Sequence, residues 1–220
     1  MLVSKVSLFP SRRTSIPVLT SVLADLKVLH LHGVEYICQI PPELPFNLNV
    51  LKLVLGNHTS LDLLHALSQQ SSIRSLRLYS RAPETFESLL PLAPRLLTLD
   101  AFGRTGLDVF LSNCTRLNAL TVGNSSVPDV DRLPNSLHSL KVTFTRESDV
   151  APILDLLNSK AIAVRGLERL TVHFFDRKRV DDSEMAVLAS VQVWHGWREV
   201  EEVCRQKKIK LLVSGTMDFD

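Results

Sequence analysis

The feature that most constrains this chain is a leucine pattern, L-x-x-L-x-L, which recurs seven times. The copies begin at Leu26, Leu48, Ile73, Leu96, Leu117, Leu137 and Leu167. Successive copies start 22, 25, 23, 21, 20 and 30 residues apart. The last two apolar residues of each copy alternate with other residues, which predicts a short strand with one apolar face. Because one copy cannot bury its leucines alone, we expect the copies to stack.

The segments between the copies carry helix signals. Apolar periodicity predicts helices over residues 61–68, 85–92, 107–112 and 150–158. Two of them follow capping patterns, Thr59-x-x-Asp62 and Thr105-x-x-Asp108. Residues 127–134 are short and bounded by prolines, which predicts an extended connection or a single tight turn. Residues 209–213 are predicted to form a weaker eighth strand. Alternating strands and helices predict an α/β chain with a parallel sheet.

With these copies and their spacing, the chain resembles the leucine-rich-repeat superfamily over residues 23–175, as about seven repeats. Among its members it looks most similar to the fungal F-box/leucine-rich-repeat proteins. The segment NCTRLNALTV, which begins at Asn113, places Cys114 three residues before the first leucine, as in their cysteine-containing repeats. The family asparagine at the ninth repeat position is missing, and no F-box is recognised in residues 1–22.

The resemblance implies an irregular solenoid, with a curved parallel sheet on its concave side and helices on its convex side. Residues 1–22 would form a lead-in. Residues 176–220 would hold a capping helix and a final strand, because the last repeat of a stack must be covered. A helical pattern that starts at Asp181-x-x-Glu184 supplies this cap. The alternative is a helix that displays Trp194 and Trp197 to a partner.

Strand alternation also predicts which side chains line the concave face. We expect partner-binding residues at His30, Lys52, Arg77, Tyr79, Asp100, Phe102, Lys141, Arg169 and His173. Aromatic and arginine side chains dominate protein interfaces, and Tyr79 and Phe102 lie beside Arg77 and Asp100 in the predicted register. His30 and His32 share a strand face, but two histidines without a third ligand do not predict a zinc site.

These residues predict a non-enzymatic module that binds a protein partner. The family resemblance implies substrate recognition in an F-box type of ubiquitin ligase. The alternative function is binding of RNA or another phosphorylated ligand through Lys52, Arg77, Lys141 and Arg169. The balance of 25 basic against 23 acidic residues speaks against nucleic acid. The sequence contains none of the common nucleotide-binding, hydrolase or metalloprotease motifs, so we expect no cofactor, metal or catalytic site.

Composition bears on the compartment. Three cysteines without a C-x-x-C pair favour a reducing environment, and no apolar run is long enough for a membrane helix. We therefore expect a cytoplasmic or nuclear chain that is monomeric by itself. Residues 1–24 have the basic, serine-rich composition of a mitochondrial presequence, an alternative that Pro10 and Pro17 disfavour.

Overall fold

The computed structural model describes residues 5–8, 25–32, 47–55, 61–80, 82, 84–103, 106–123, 128–145, 150–160, 166–175 and 196–215. The chain divides into two compact units, which we call the first unit (residues 1–117) and the second unit (residues 118–220). Both have an α/β architecture in which every described strand pair is parallel.

In the first unit, the part of the chain that the structure describes forms five strands and three α-helices. In chain order they are β1 (Lys5–Leu8), β2 (Val28–His32), β3 (Val50–Val54), α1 (Leu61–Ser68), β4 (Ser75–Tyr79), α2 (Glu84–Ser88), a 3-10 helix (Leu90–Arg95), β5 (Thr98–Phe102) and α3 (Leu107–Ser112). Each strand pairs with the next in chain order, from β1 to β5. Short helical crossovers are what parallel neighbours require.

The described residues of the second unit form four strands and two α-helices. They are β6 (Ala119–Gly123), a 3-10 helix (Val130–Arg132), β7 (Ser139–Thr145), α4 (Ala151–Asn158), β8 (Arg169–Phe175), α5 (Trp197–Gln206) and β9 (Lys210–Gly215). Again each strand pairs with the next, from β6 to β9.

The leucine pattern sets the register and the core. Leu29, Leu51, Leu76 and Leu99 occupy the same register position on β2 to β5, and each is buried. The next apolar position of each copy is buried in the same way, as at Leu53. The predicted parallel sheet with its alternating apolar residues on one side is therefore confirmed within each unit, because only this register puts all the leucines on that side.

Backbone hydrogen bonds extend the ladder beyond the strands. The carbonyl oxygen of Asn49 accepts from the amides of Arg74 (3.0 Å) and Ser75 (3.1 Å). The carbonyl oxygen of Asn118 accepts from the amides of His138 and Ser139, both at 3.0 Å. One carbonyl therefore holds two amides of the following repeat, which links consecutive copies through the main chain.

Most predicted elements agree with the structure. The helices at 61–68 and 107–112 are confirmed as α1 and α3, and the single turn at 127–134 is the 3-10 helix Val130–Arg132. The helix at 150–158 begins one residue late, and the eighth strand is β9. Sequence reasoning missed β1.

Two helix predictions need correction. The helix predicted at 85–92 is instead α2 followed by the 3-10 helix Leu90–Arg95, which contains Pro91 and Pro94. Proline cannot supply the amide that a continuous α-helix needs. The N-cap of α3 is Gly106, with φ of 85°, rather than Thr105. Thr59 and residues 181–184 lie outside the described residues.

The last described helix of the second unit, α5, lies against the helix before it. α5 packs against α4 and turns its apolar face inward, with Trp197, Val200 and Cys204 buried. Its entry at Gly196 has φ of 84°, a conformation that glycine tolerates. α5 therefore covers α4 with its apolar face, and residues 176–195 of the predicted capping segment lie outside the described residues.

Candidate functional site

Side chains at the first, third and fifth positions of each strand point away from the buried leucines, and we call this surface the front face. The burial pattern of β2, β3 and β4 alternates accordingly, with buried second and fourth positions. All the predicted partner-binding residues of the first unit lie on its front face. Those of the second unit lie on the same alternation of β7 and β8.

Three contacts join β4 and β5 across the front face of the first unit. The Thr98 hydroxyl donates to the Ser75 Oγ at 2.7 Å. The Arg77 Nε donates to the Asp100 Oδ2, also at 2.7 Å. The rings of Tyr79 and Phe102 stack with centroids 4.3 Å apart and planes 6° apart. Each pair occupies one register position, so neighbouring strands place the two partners directly beside each other.

The ion pair is partly exposed. The side chain of Arg77 is 47% exposed and that of Asp100 is 27% exposed. Solvent weakens the attraction, so the pair orients the two side chains more than it stabilises the fold. Lys52 lies beside Arg77 in the register of β3 and β4, and among the described residues it forms no ion pair. The centre of this face therefore carries one compensated and one uncompensated cation.

The aromatic pair forms the apolar part of the site. Tyr79 is 36% exposed although it stacks on Phe102. Val54 occupies the same register position on β3, so an apolar strip three strands wide crosses the ends of β3, β4 and β5. The polar row of Lys52, Arg77 and Asp100 runs directly alongside it. The predicted cluster is therefore brought together as a two-row surface.

His30 and His32 lie on β2 at the side of this surface. His30 is half-buried and His32 is exposed. In the part of the chain that the structure describes, no group of three His, Cys, Asp or Glu side chains is placed to hold a metal ion.

In the second unit, the structure corrects the assignment of His173. Its side chain was expected on an open surface, but the residue is only 7% exposed. Its Nδ1 lies 3.0 Å from the Oγ of Ser214, the residue that pairs with it on β9. A buried imidazole in contact with the neighbouring strand is not displayed to a partner, so His173 is a structural residue. Lys141 and Arg169 do lie on the front face, half-buried and exposed respectively.

The structure also corrects the role of Trp197. The partner-binding alternative requires a displayed indole, but Trp197 is 2% exposed. Its Nε1 donates to the Glu201 Oε1 at 2.8 Å, which satisfies the polar atom of the ring one turn along the helix. The indole of Trp197 therefore lies on the buried face of α5. Trp194 lies outside the described residues.

Two cysteines are core residues rather than nucleophiles. Burial raises the pKa of Cys114 to about 12 and that of Cys204 to about 11. The Cys114 thiol donates to the carbonyl oxygen of Phe110 at 3.3 Å. A thiol that stays protonated at neutral pH is a poor nucleophile. Cys38 lies outside the described residues.

Lys210 is the surface residue that sequence reasoning missed. It occupies the register position of Arg169 on the adjacent strand β9 and is exposed. The same strand alternation, applied to the weak eighth strand as it was to the seven repeats, would have found Lys210.

A scan against protein-family models found no match to this chain, and a search of curated proteins found no similar sequence. Within the described residues, no helix is both long enough and apolar enough to cross a lipid bilayer.

Proposed function

We propose that the chain is a non-enzymatic recognition module of the leucine-rich-repeat type, which binds a protein partner on the front face of its first unit. The observation that carries the proposal is the exposed, stacked pair of Tyr79 and Phe102 beside the Arg77–Asp100 ion pair. Aromatic and arginine side chains supply most of the binding energy at protein interfaces.

The arrangement is suited to binding because it is held in place before a partner arrives. Each ring restricts its neighbour, and the ion pair fixes the arginine fork. Side chains that are already ordered lose less conformational entropy on association. The strands beneath them are held by the in-register ladder, so the surface rests on rigid elements.

Charge favours a protein over a nucleic acid at this surface. The RNA alternative relied on Lys52, Arg77, Lys141 and Arg169 as free cations. Asp100 compensates Arg77, which leaves Lys52 as the unpaired cation among the described residues of β3 to β5. The partner would therefore place apolar side chains over the aromatic strip and a polar or acidic group near Lys52. By resemblance, the proposed context is substrate recognition for an F-box type of ubiquitin ligase.

The test is capture of partners from native lysate with the intact chain, followed by measurement with the purified candidate. The site variant is Tyr79→Ala/Phe102→Ala. The matched control is Leu61→Ala/Val109→Ala, which removes two exposed apolar side chains, 52% and 60% exposed, from helices α1 and α3 of the same unit. Far-UV circular dichroism verifies that all proteins are folded.

We expect one dominant protein with the parent and the control, and a loss of at least about tenfold in affinity with the site variant. Co-capture of ubiquitin-ligase subunits supports the F-box context. If the site variant retains the same proteins with the same affinity as the parent, the front face of the first unit is not the binding surface.

A further inference from the structure

The front face of the second unit carries a cluster of cations with a different character. Arg169 on β8 and Lys210 on β9 occupy the same register position, and Lys141 on β7 is one strand and two positions away from Arg169. Arg169 and Lys210 are exposed, and Lys141 is half-buried. We call these three residues the basic cluster.

Within the described part of the second unit, no acidic side chain compensates the basic cluster. The segments of β6, β7, β8 and β9 contain no aspartate or glutamate. Among the described residues none of the three cations forms an ion pair, in contrast to Arg77 in the first unit. Glu168 precedes β8 directly, and it too forms no ion pair with described residues. Three unpaired cations close together repel one another, and an anionic ligand relieves that repulsion.

The surroundings of the basic cluster are small and polar. Its register neighbours on the front face are Thr121, Ser139 and Thr171, all half-buried. Hydroxyl groups donate hydrogen bonds to carboxylates, so Lys141 and Arg169 each have a further donor beside them. The front-face positions of β6 and of β7 from Ser139 to Thr143 hold no aromatic residue. Proteins that bind single-stranded nucleic acid use aromatic rings to stack bases, and these described positions of β6 and β7 supply none.

We propose that the basic cluster binds an acidic segment of a partner protein, an extended stretch with aspartate or glutamate at alternating positions. Neighbouring strands lie about 5 Å apart, and two positions along a strand span about 6.6 Å. Arg169 and Lys210 are therefore about 5 Å apart along the backbone positions, and Lys141 is about 8 Å from Arg169, whereas alternate residues of an extended peptide are about 6.6 Å apart. The long side chains of lysine and arginine take up these differences, so successive carboxylates can meet successive cations. Arginine and lysine pair with carboxylates through charge-assisted hydrogen bonds.

This inference concerns the second unit and does not depend on the aromatic pair of the first unit. It also assigns a role to Lys210. Because the contacts are exposed ion pairs, they contribute mainly to steering and specificity, and the affinity must fall as salt rises.

The test uses the full chain and a fluorescein-labelled peptide of about ten residues with alternating glutamate and serine, which is long enough to cross the four strands. Binding is followed by fluorescence anisotropy at about 50 mM and about 300 mM NaCl, on either side of physiological ionic strength. The cluster variant is Lys141→Gln/Arg169→Gln/Lys210→Gln. The matched control, Lys27→Gln/Arg116→Gln/Arg198→Gln, removes three exposed cations elsewhere and changes net charge equally. A labelled thymidine oligonucleotide of equal length is the competing ligand.

We expect the parent and the matched control to bind the peptide with equal affinity, and the cluster variant to lose about tenfold or more. The Tyr79→Ala/Phe102→Ala variant should bind this peptide as the parent does, which separates this test from that of the proposed function. The inference is overturned if the parent shows no binding at low salt, or if the cluster variant and the matched control lose affinity equally. Tighter binding of the oligonucleotide, lost in the cluster variant, would overturn it in favour of a nucleic-acid ligand.

Discussion

Gly103, directly after the aromatic strip, provides a sharp test of how tightly the first unit is packed. A Cβ at this position would lie 2.3 Å from the carbonyl oxygen of Ser80 and 3.8 Å from the ring of Phe86. Carbon and oxygen atoms in close contact are normally about 3.3 Å apart, so an alanine would overlap the carbonyl by about 1 Å. The obstacle is backbone, so it cannot rotate aside as a side chain would. We expect Gly103→Ala to push the end of β5 away from β4.

The magnitude follows from two opposing effects. Gly103 is not among the glycines with positive φ, so alanine brings no left-handed strain, and its lower entropy in the unfolded chain would by itself stabilise by about 0.4–1 kcal/mol. Overpacking of a filled site costs about 1–3 kcal/mol. We therefore expect the free energy of unfolding to fall by about 1–2 kcal/mol. For a chain of this size, each kcal/mol lowers Tm by about 2–4 °C.

The assay is guanidinium unfolding of the full chain followed by far-UV circular dichroism, with amide hydrogen exchange of peptides that cover β4 and β5. Because Phe102 precedes the altered residue, exchange should accelerate at residues 98–103 in particular. Ser71→Ala, at an exposed position between α1 and β4, is the control and should change stability by less than about 0.5 kcal/mol. A Gly103→Ala protein as stable as the parent, or more stable, would refute the steric argument.

Three further predictions concern other parts of the molecule. A double-mutant cycle of Arg77→Ala and Asp100→Ala should give a coupling energy in unfolding below about 1 kcal/mol that shrinks with added salt, because the pair is partly exposed; a larger, salt-independent value would contradict this. α5 ends in a Schellman motif: Lys208 has a φ of 59°, and the Ile209 amide donates to the Cys204 carbonyl at 2.8 Å. Because glycine adopts this conformation without strain, Lys208→Gly should raise the free energy of unfolding by about 0.5–1 kcal/mol, and unchanged thermal unfolding would argue against a strained terminus. Because the pKa of Cys114 is raised in the folded chain, the folded state keeps a proton that the unfolded state loses above about pH 9. The free energy of unfolding should therefore fall above that pH by up to about 1.4 kcal/mol per pH unit, and Cys114→Ala should remove this component of the pH dependence.

Much of the fold could be predicted because its determinant is local and periodic. Leucines at fixed spacing specify which strand positions are buried, and the burial of Leu51, Leu76 and Leu99 follows from that spacing alone. A slip of one residue would turn each apolar set to the opposite face, so the register was fixed as well. The helices α1 and α3 were predicted for the same reason.

The pairing of front-face residues was predicted only as proximity. The sequence placed Arg77 beside Asp100, and Tyr79 beside Phe102, at equivalent positions of neighbouring strands. The 2.7 Å ion pair and the 6° angle between the rings depend on rotamers that packing selects. Long side chains at the same strand positions can adopt many arrangements, and packing in the tertiary structure selects one of them.

By itself, then, the sequence determined the repeated strands, their apolar faces and the residues that lie on each face. Tertiary structure alone decided the surroundings of individual side chains, such as the burial of His173 with its contact to Ser214 and the burial of Trp197 on the inner face of α5. Periodicity reports on which side of its own strand or helix a residue lies. Whether that side is open to solvent depends on what another part of the chain places over it, and Ser214 is 41 residues away from His173.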